Sequence, residues 1–206
     1  MNKKKTVKIP VYDQCIDVVT EDLKDTDNLA YVTEDRKGNG LVLSNSILRN
    51  TTLANLKGVS KGSFIDPDKE YEVAEEYVKK LKTKTPSVEQ LVGNLSGGNQ
   101  QKVLLAKWMF ANPDVLILDE PTRGIDVGAK YEIYCIINDL AKAGKSVIMI
   151  SSELPEVIGM SDRIYIMNQA KIVGEMEASE ATQEKIMACI VGVSGEASAD
   201  GVGSEA

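Results

Sequence analysis

The segment Leu95-Ser-Gly-Gly-Asn-Gln-Gln-Lys-Val103, followed closely by Val115-Leu-Ile-Leu-Asp-Glu120, constrains this chain more than anything else in it. Ser96 is a good N-cap, and Gly97 and Gly98 open the helix behind it. That helix is expected to run to about Ala111 and is apolar nearly all round, so it should pack deeply. Residues 115–118 are a continuous apolar run, as a parallel strand buried on both faces requires. The run ends in two adjacent acids, Asp119 and Glu120. Open α/β sheets bind ligands at such carboxyl ends.

The remaining pattern supports an α/β fold with a mostly parallel sheet, because apolar runs alternate with helical stripes. Residues 29–32 read as a strand entering a polar loop, and residues 47–56 as a helix. Asp66 and Pro67 start another helix, continued by Tyr71, Ala74, Tyr77, Val78 and Leu81. Residues 83–94, with Pro86 and Gly93, form a connector. Ile133, Ile136, Ile137 and Leu140 mark one helical stripe. Residues 146–150 read as a second buried strand, residues 163–167 and 171–175 as two shorter ones, and residues 178–191 as a final helix. Trp108 is expected in the core. Residues 1–28 are expected to be peripheral, with a strand near Ile9 and a short helix at 15–19. Residues 29–191 form the core domain, with a helical subdomain at about 40–112. The Gly/Ser/Ala/acid-rich tail, 192–206, is expected to be disordered.

Composition narrows the function classes. The 206 residues are 43% hydrophobic and 27% charged, ordinary for a chain that buries a core. A net charge of -7 and 5% aromatic residues argue against a dedicated nucleic-acid binder. Cys15, Cys135 and Cys189 are odd in number and widely spaced, which suits reduced thiols better than a disulfide framework. No apolar run approaches the roughly 18 residues of a membrane span.

Each of the two segments has a plain reading in isolation. Ser-Gly-Gly can be an ordinary helix start, and Asp-Glu can be solvated acids at a strand end. Taken together they describe a phosphate site and a metal site. The free N–H groups and positive dipole end at Ser96, Gly97 and Gly98 suit an anion. Asp119 suits Mg²⁺, held directly or through water, and Glu120 could orient a water for attack on a phosphate.

These motifs resemble the ATP-binding cassette (ABC) ATPases, a branch of the P-loop NTPase fold with a helical signature subdomain. Residues 95–101 resemble the family's signature, with Asn99 where glutamine is usual. Residues 115–120 resemble its Walker B strand, and Gly124-Ile125-Asp126 its D-loop. Thr33-Glu-Asp-Arg-Lys37, Pro121-Thr-Arg-Gly-Ile-Asp-Val-Gly-Ala-Lys130 and Ile150-Ser-Ser-Glu-Leu-Pro-Glu-Val157 resemble the second cassette of bacterial monosaccharide importers, of the multiple-sugar, ribose, xylose and galactoside type. The resemblance implies an ATP- and Mg²⁺-dependent ATPase subunit on the cytoplasmic face of the membrane. Its implied partners are a second nucleotide-binding domain, a membrane permease and, indirectly, a sugar-binding protein. It assigns Ser96, Gly97, Gly98, Asn99, Gln100, Asp126 and Glu34 to nucleotide, Asp119 to metal, and Glu120 and Ser152 to catalysis.

Three departures qualify that assignment. No Gly-x-x-x-x-Gly-Lys-Ser/Thr loop occurs; Gly144-Lys145-Ser146 precedes a strand and has Asp139 in place of the first glycine. The resemblance therefore implies a cassette without its N-terminal portion. Ser152 stands where the family has its switch histidine, and the chain has no histidine at all. Glu34 stands where the family offers glutamine to Mg²⁺. Both substitutions imply a slow or non-hydrolysing site. Arg36 and Lys37 are read either as a contact to the membrane subunit or as a solvated turn. Two other classes compete: a non-hydrolysing interaction module that docks on a complete cassette or permease, and a DNA-repair or chromosome cassette. The second lacks support, because no sustained heptad pattern occurs.

Overall fold

A computed structural model describes residues 5–11, 14–20 and 28–192. The chain divides into two units, one spanning Asp25–Ser152 and the other drawn from Met1–Lys24 and Glu153–Ala206. In the latter, β1 (Lys5–Val11) pairs antiparallel with β2 (Gln14–Thr20), from Lys5 opposite Thr20 to Val11 opposite Gln14. The short helix expected at 15–19 is thus a strand. Ile16, Val18 and Val19 are β-branched, which favours the extended form over a helix.

The unit Asp25–Ser152 is built on a three-stranded parallel sheet. Its strands are β3 (Leu29–Val32), β6 (Val115–Asp119) and β7 (Ser146–Ile150), in the order β3-β6-β7. Between β3 and β6 lie α1 (Ile47–Thr52), the short hairpin β4 (Ser60–Lys61) and β5 (Phe64–Ile65), α2 (Pro67–Lys80) and α3 (Gly97–Ala111). Helix α4 (Val127–Lys142) connects β6 to β7. β6 is central, and Leu116, Ile117 and Leu118 are buried as its apolar run requires.

β7 corrects an expectation. Its run is as apolar as that of β6, yet Ile148 is 44% exposed. Among the described residues β7 pairs on one side only, with β6. Position in the sheet, not composition, decides how much of an apolar strand is covered.

Helices α2 and α3 start where the sequence places their caps. Ser96 Oγ accepts from the Asn99 amide, and Asp66 Oδ1 accepts from the amides of Asp68 and Lys69. α1 is shorter than expected. It gives way at Leu53–Val59 to a tighter turn interrupted at Asn55, whose side chain bonds Gly58 N and Phe110 O. Asn50 is fully buried and pins the preceding loop, accepting from Val42 N and donating to the carbonyls of Val42 and Ser46. Ile47, Val59, Ala74, Val88, Val92, Leu104 and Leu105 form the core that packs these helices. Trp108, expected inside, is only half-buried, with the Lys107 ammonium over its ring.

In the second unit, α5 (Leu154–Met160) is followed by the hairpin β8 (Arg163–Asn168) and β9 (Lys171–Glu177), and by α6 (Gln183–Val191). The hairpin turns through Gln169 and Ala170, both at positive φ. Ile164 and Ile166 pack on Ile186 of α6. α6 starts later than expected because Thr182 is its cap, accepting from Lys185 N. Gly192 is its left-handed C-cap, and the expectation for the tail beyond it lies outside the described residues.

Candidate functional site

The carboxyl ends of β3, β6 and β7 bring together the segments that the sequence singled out. Val32 lies opposite Leu118 and Asp119 opposite Ile150, so residues 33–36, 119–126 and 151–152 leave the sheet at one edge.

Asp119 is half-buried at this edge, and its Oδ2 accepts a 2.5 Å hydrogen bond from the Tyr31 hydroxyl. The alternation along β3 buries Ala30 and Val32 and leaves Tyr31 on the other face, where it reaches the acid. A carboxylate here is a hard oxygen donor of the kind Mg²⁺ takes. Glu120 has left-handed backbone, φ 44, which an ordinary side chain adopts only at a cost of about 1–2 kcal/mol. Its amide donates to Ile150 O and its Oε1 accepts from the Ser152 amide. Ser152 therefore meets Glu120 through its backbone N–H.

The loop after β6 is gripped by the loop after β3. Glu34 Oε1 pairs with the Arg123 guanidinium, and Arg36 donates from Nη1 to Arg123 O (2.8 Å) and from Nη2 to Gly124 O (3.3 Å). Arg36 and Lys37 part company here: Lys37 is exposed, whereas Arg36 is half-buried against this loop. Burial lowers the Arg36 pKa from its ordinary value. Asp126 then caps α4, its Oδ1 accepting from Ala129 N at 2.9 Å.

The start of α3 lies against this loop. Ser96 is exposed, and its Oγ also accepts from Asn99 Nδ2 at 3.0 Å. Asn99 Oδ1 accepts from the Lys84 amide, which ties the connector to the helix. A Cβ on Gly98 would lie 2.5 Å from Ala129 Cβ, so α4 demands glycine there whatever the ligand. Gln100 differs from the expectation of a nucleotide contact. It is buried, and its amide donates to Val92 O, so it supports the motif from beneath.

Sequence reading missed several residues. Tyr31 was legible only as strand filler and Arg123 only as part of a loop motif, while Arg36 was read as a membrane-subunit contact or a solvated turn and not as the grip it makes on the loop after β6. Lys102 is almost fully buried inside α3, with its ammonium on Lys82 O (2.9 Å) and Glu132 of α4 (2.8 Å). A lysine directly before the apolar run Val103–Ala106 was the available signal, since such a residue is buried only when paired. Lys102 in turn holds the Glu132 carboxyl below its ordinary range. Among the described residues no His/Cys/Asp/Glu cluster could by itself hold a metal, and no helix is long and apolar enough to cross a membrane.

Residues 7–123 match the family model described as ABC transporter. The chain is 61% identical over 159 residues to the L-arabinose transport ATP-binding protein AraG of Geobacillus stearothermophilus, covering 77% of this chain and 31% of that protein. It is 59% identical over 164 residues to the xylose import ATP-binding protein XylG of Geobacillus kaustophilus, covering 80% and 32%. To the ribose import ATP-binding protein RbsA of Clostridium tetani it is 48% identical over 186 residues, covering 90% and 37%. The chain thus spans about a third of the length of these relatives. Among solved structures, it resembles an ATP-binding cassette in a dimeric post-hydrolysis state with ADP and Pi, at TM-score 0.63 and 21% identity, covering 83% of this chain and 73% of that one. A nucleotide-free cassette from an ABC transporter gives TM-score 0.62 at 18% identity, covering 80% and 65%.

Proposed function

The chain belongs to the ABC transporter family, and on that premise we propose that it is the C-terminal cassette portion of an ATP-hydrolysing subunit that drives monosaccharide import. Relatives named for arabinose, xylose and ribose transport support the substrate class. The subunit would sit peripherally on the cytoplasmic face of the membrane. Its partners there are a permease, a second nucleotide-binding domain and, through the permease, a sugar-binding protein.

The observation that carries this reading is the exposed start of α3. Ser96 stands in solvent with Gly97 beside it and the loop 123–126 alongside. This surface grips the γ-phosphate of ATP held by a second cassette, through the Ser96 hydroxyl and the N–H groups of the first turn. Asn99 holds the serine in place, and Asp126 fixes the loop next to it. That role requires no phosphate-cradling loop within these 206 residues.

Asp119 and Glu120 serve the chain's own nucleotide site. Asp119 would hold Mg²⁺, and Tyr31 orients its carboxylate. When bound, Mg²⁺ neutralises charge that develops on the transferred phosphoryl group. Glu120 is aimed by its left-handed backbone and by the Ser152 amide, and would orient a water. Ser152 offers no imidazole for proton transfer, and Glu34 is paired with Arg123. Both features favour slow hydrolysis. The phosphate-cradling amides of this second site come from outside these residues.

Calorimetric titration of the chain with Mg-ATP tests this division of roles. It should show no binding in the low micromolar range. Low-micromolar binding that weakens in Asp119→Asn would contradict it and make the chain a self-sufficient nucleotide site.

A further inference from the structure

The roles proposed for Ser96, Asp119 and Glu120 leave Arg36 unused, although three segments meet at its guanidinium. Its two terminal nitrogens donate to successive carbonyls, those of Arg123 and Gly124. Nη2 also lies 3.0 Å from where a Cβ on Gly97 would stand, against the first turn of α3. The planar fork of arginine reaches two carbonyls at once, which an ammonium does not. Next to it, Glu34 pairs with Arg123 side chain to side chain. The loop after β3 therefore holds the loop after β6 twice, once by main chain and once by side chain.

What is held is passed on. Gly124 turns at φ 67, and two residues later Asp126 caps α4. The first turn of α4 places Ala129 against Gly98, and Gly97 lies against Gly124 O and Ile125. The posture of residues 123–126 thus fixes both the start of α4 and the start of α3.

We infer that Arg36 and the Glu34–Arg123 pair are positioning residues, which clamp the loop 120–126 against the first turn of α3. Ser96, Gly124 and Asp126 are then presented as one preformed surface. What that surface meets rests on the proposed function; the clamp itself does not. Arg123 is 61% exposed and Glu34 31%, so the pair adds little to global stability. Its effect is on the local posture of the loop.

Hydrogen exchange of the whole chain, read by mass spectrometry on peptides covering 95–100 and 120–127, tests the clamp without nucleotide. Arg123→Glu alone and Glu34→Arg alone should each speed exchange in 120–127 by about threefold, the scale of an exposed ion pair. The double reversal should restore the wild-type rate. Losses that simply add in the double variant would overturn the pair. Arg36→Lys keeps the charge without the fork, so both peptides should exchange faster, as in Arg36→Ala. Wild-type exchange in Arg36→Lys, or a change confined to one peptide, would overturn the role of Arg36. The exposed Arg123 change keeps the test decisive even where Arg36→Ala destabilises the chain. Failure of this pattern counts against the clamp alone, because a defect in phosphate gripping leaves exchange unaltered.

Discussion

Gly98 belongs to a motif that reads as a phosphate cradle, yet its own requirement for glycine is steric. Gly98→Ala brings a methyl to 2.5 Å from Ala129 Cβ. It should destabilise the chain by about 1–3 kcal/mol in denaturant unfolding, the scale of an overpacked contact. Ala129→Gly in the same chain should recover most of that loss. The motif itself was legible, because Ser-Gly-Gly reports a helix start; the contact with Ala129 was not, because it joins residues on different helices. Glu120 shows the opposite case. Its side chain was picked out by sequence, but the positive φ that aims it arises from the turn leaving β6. Glu120→Gly should be more stable than Glu120→Ala by about 1 kcal/mol, since both lose the bond from the Ser152 amide and only glycine relieves that backbone. That difference, read from denaturant midpoints, measures the backbone strain at Glu120; equal midpoints for the two variants would mean there is none.

Between elements, the packing of α3 on α4 includes one ion pair that composition disguised. Lys102 is buried in α3, and Glu132 of α4 is 44% exposed. The Lys102 hydrogen bond depresses the Glu132 pKa below its ordinary 4.5. A depressed carboxylate contributes stability that is present above 4.5 and lost as pH falls through the folded-state value. Acid unfolding of the wild type should therefore steepen below about pH 4.5, and Glu132→Gln should remove that part of the slope. The variant should also be less stable at neutral pH by about 1 kcal/mol, since the buried ammonium exchanges a charged acceptor for a neutral amide oxygen. The same scale explains what sequence could and could not supply about the fold. Caps at Asp66 and Ser96 gave helix starts to the residue, because a cap is a local hydrogen bond; the cap at Asp126 was not read. Burial of β7 and the length of α1 were misread, because the first depends on sheet neighbours and the second on the Asn55 kink. Tyr31 on Asp119 was beyond reach for the same reason, since strand pairing brings the two together.

For the whole molecule, the family was legible from a few motifs in order, and the relatives that match bear it out. The two units divide the residues unequally, and the candidate site lies in the one that spans Asp25–Ser152. The chain spans about a third of the length of its curated relatives. Everything proposed for the chain turns on whether the exposed start of α3 grips a phosphate. Ser96→Arg in the full-length subunit places a long side chain on that surface without disturbing the buried side of the helix. Sugar uptake by cells carrying the variant, at matched subunit level, is the most direct measurement. Uptake should be lost; uptake at the wild-type rate would contradict the phosphate grip.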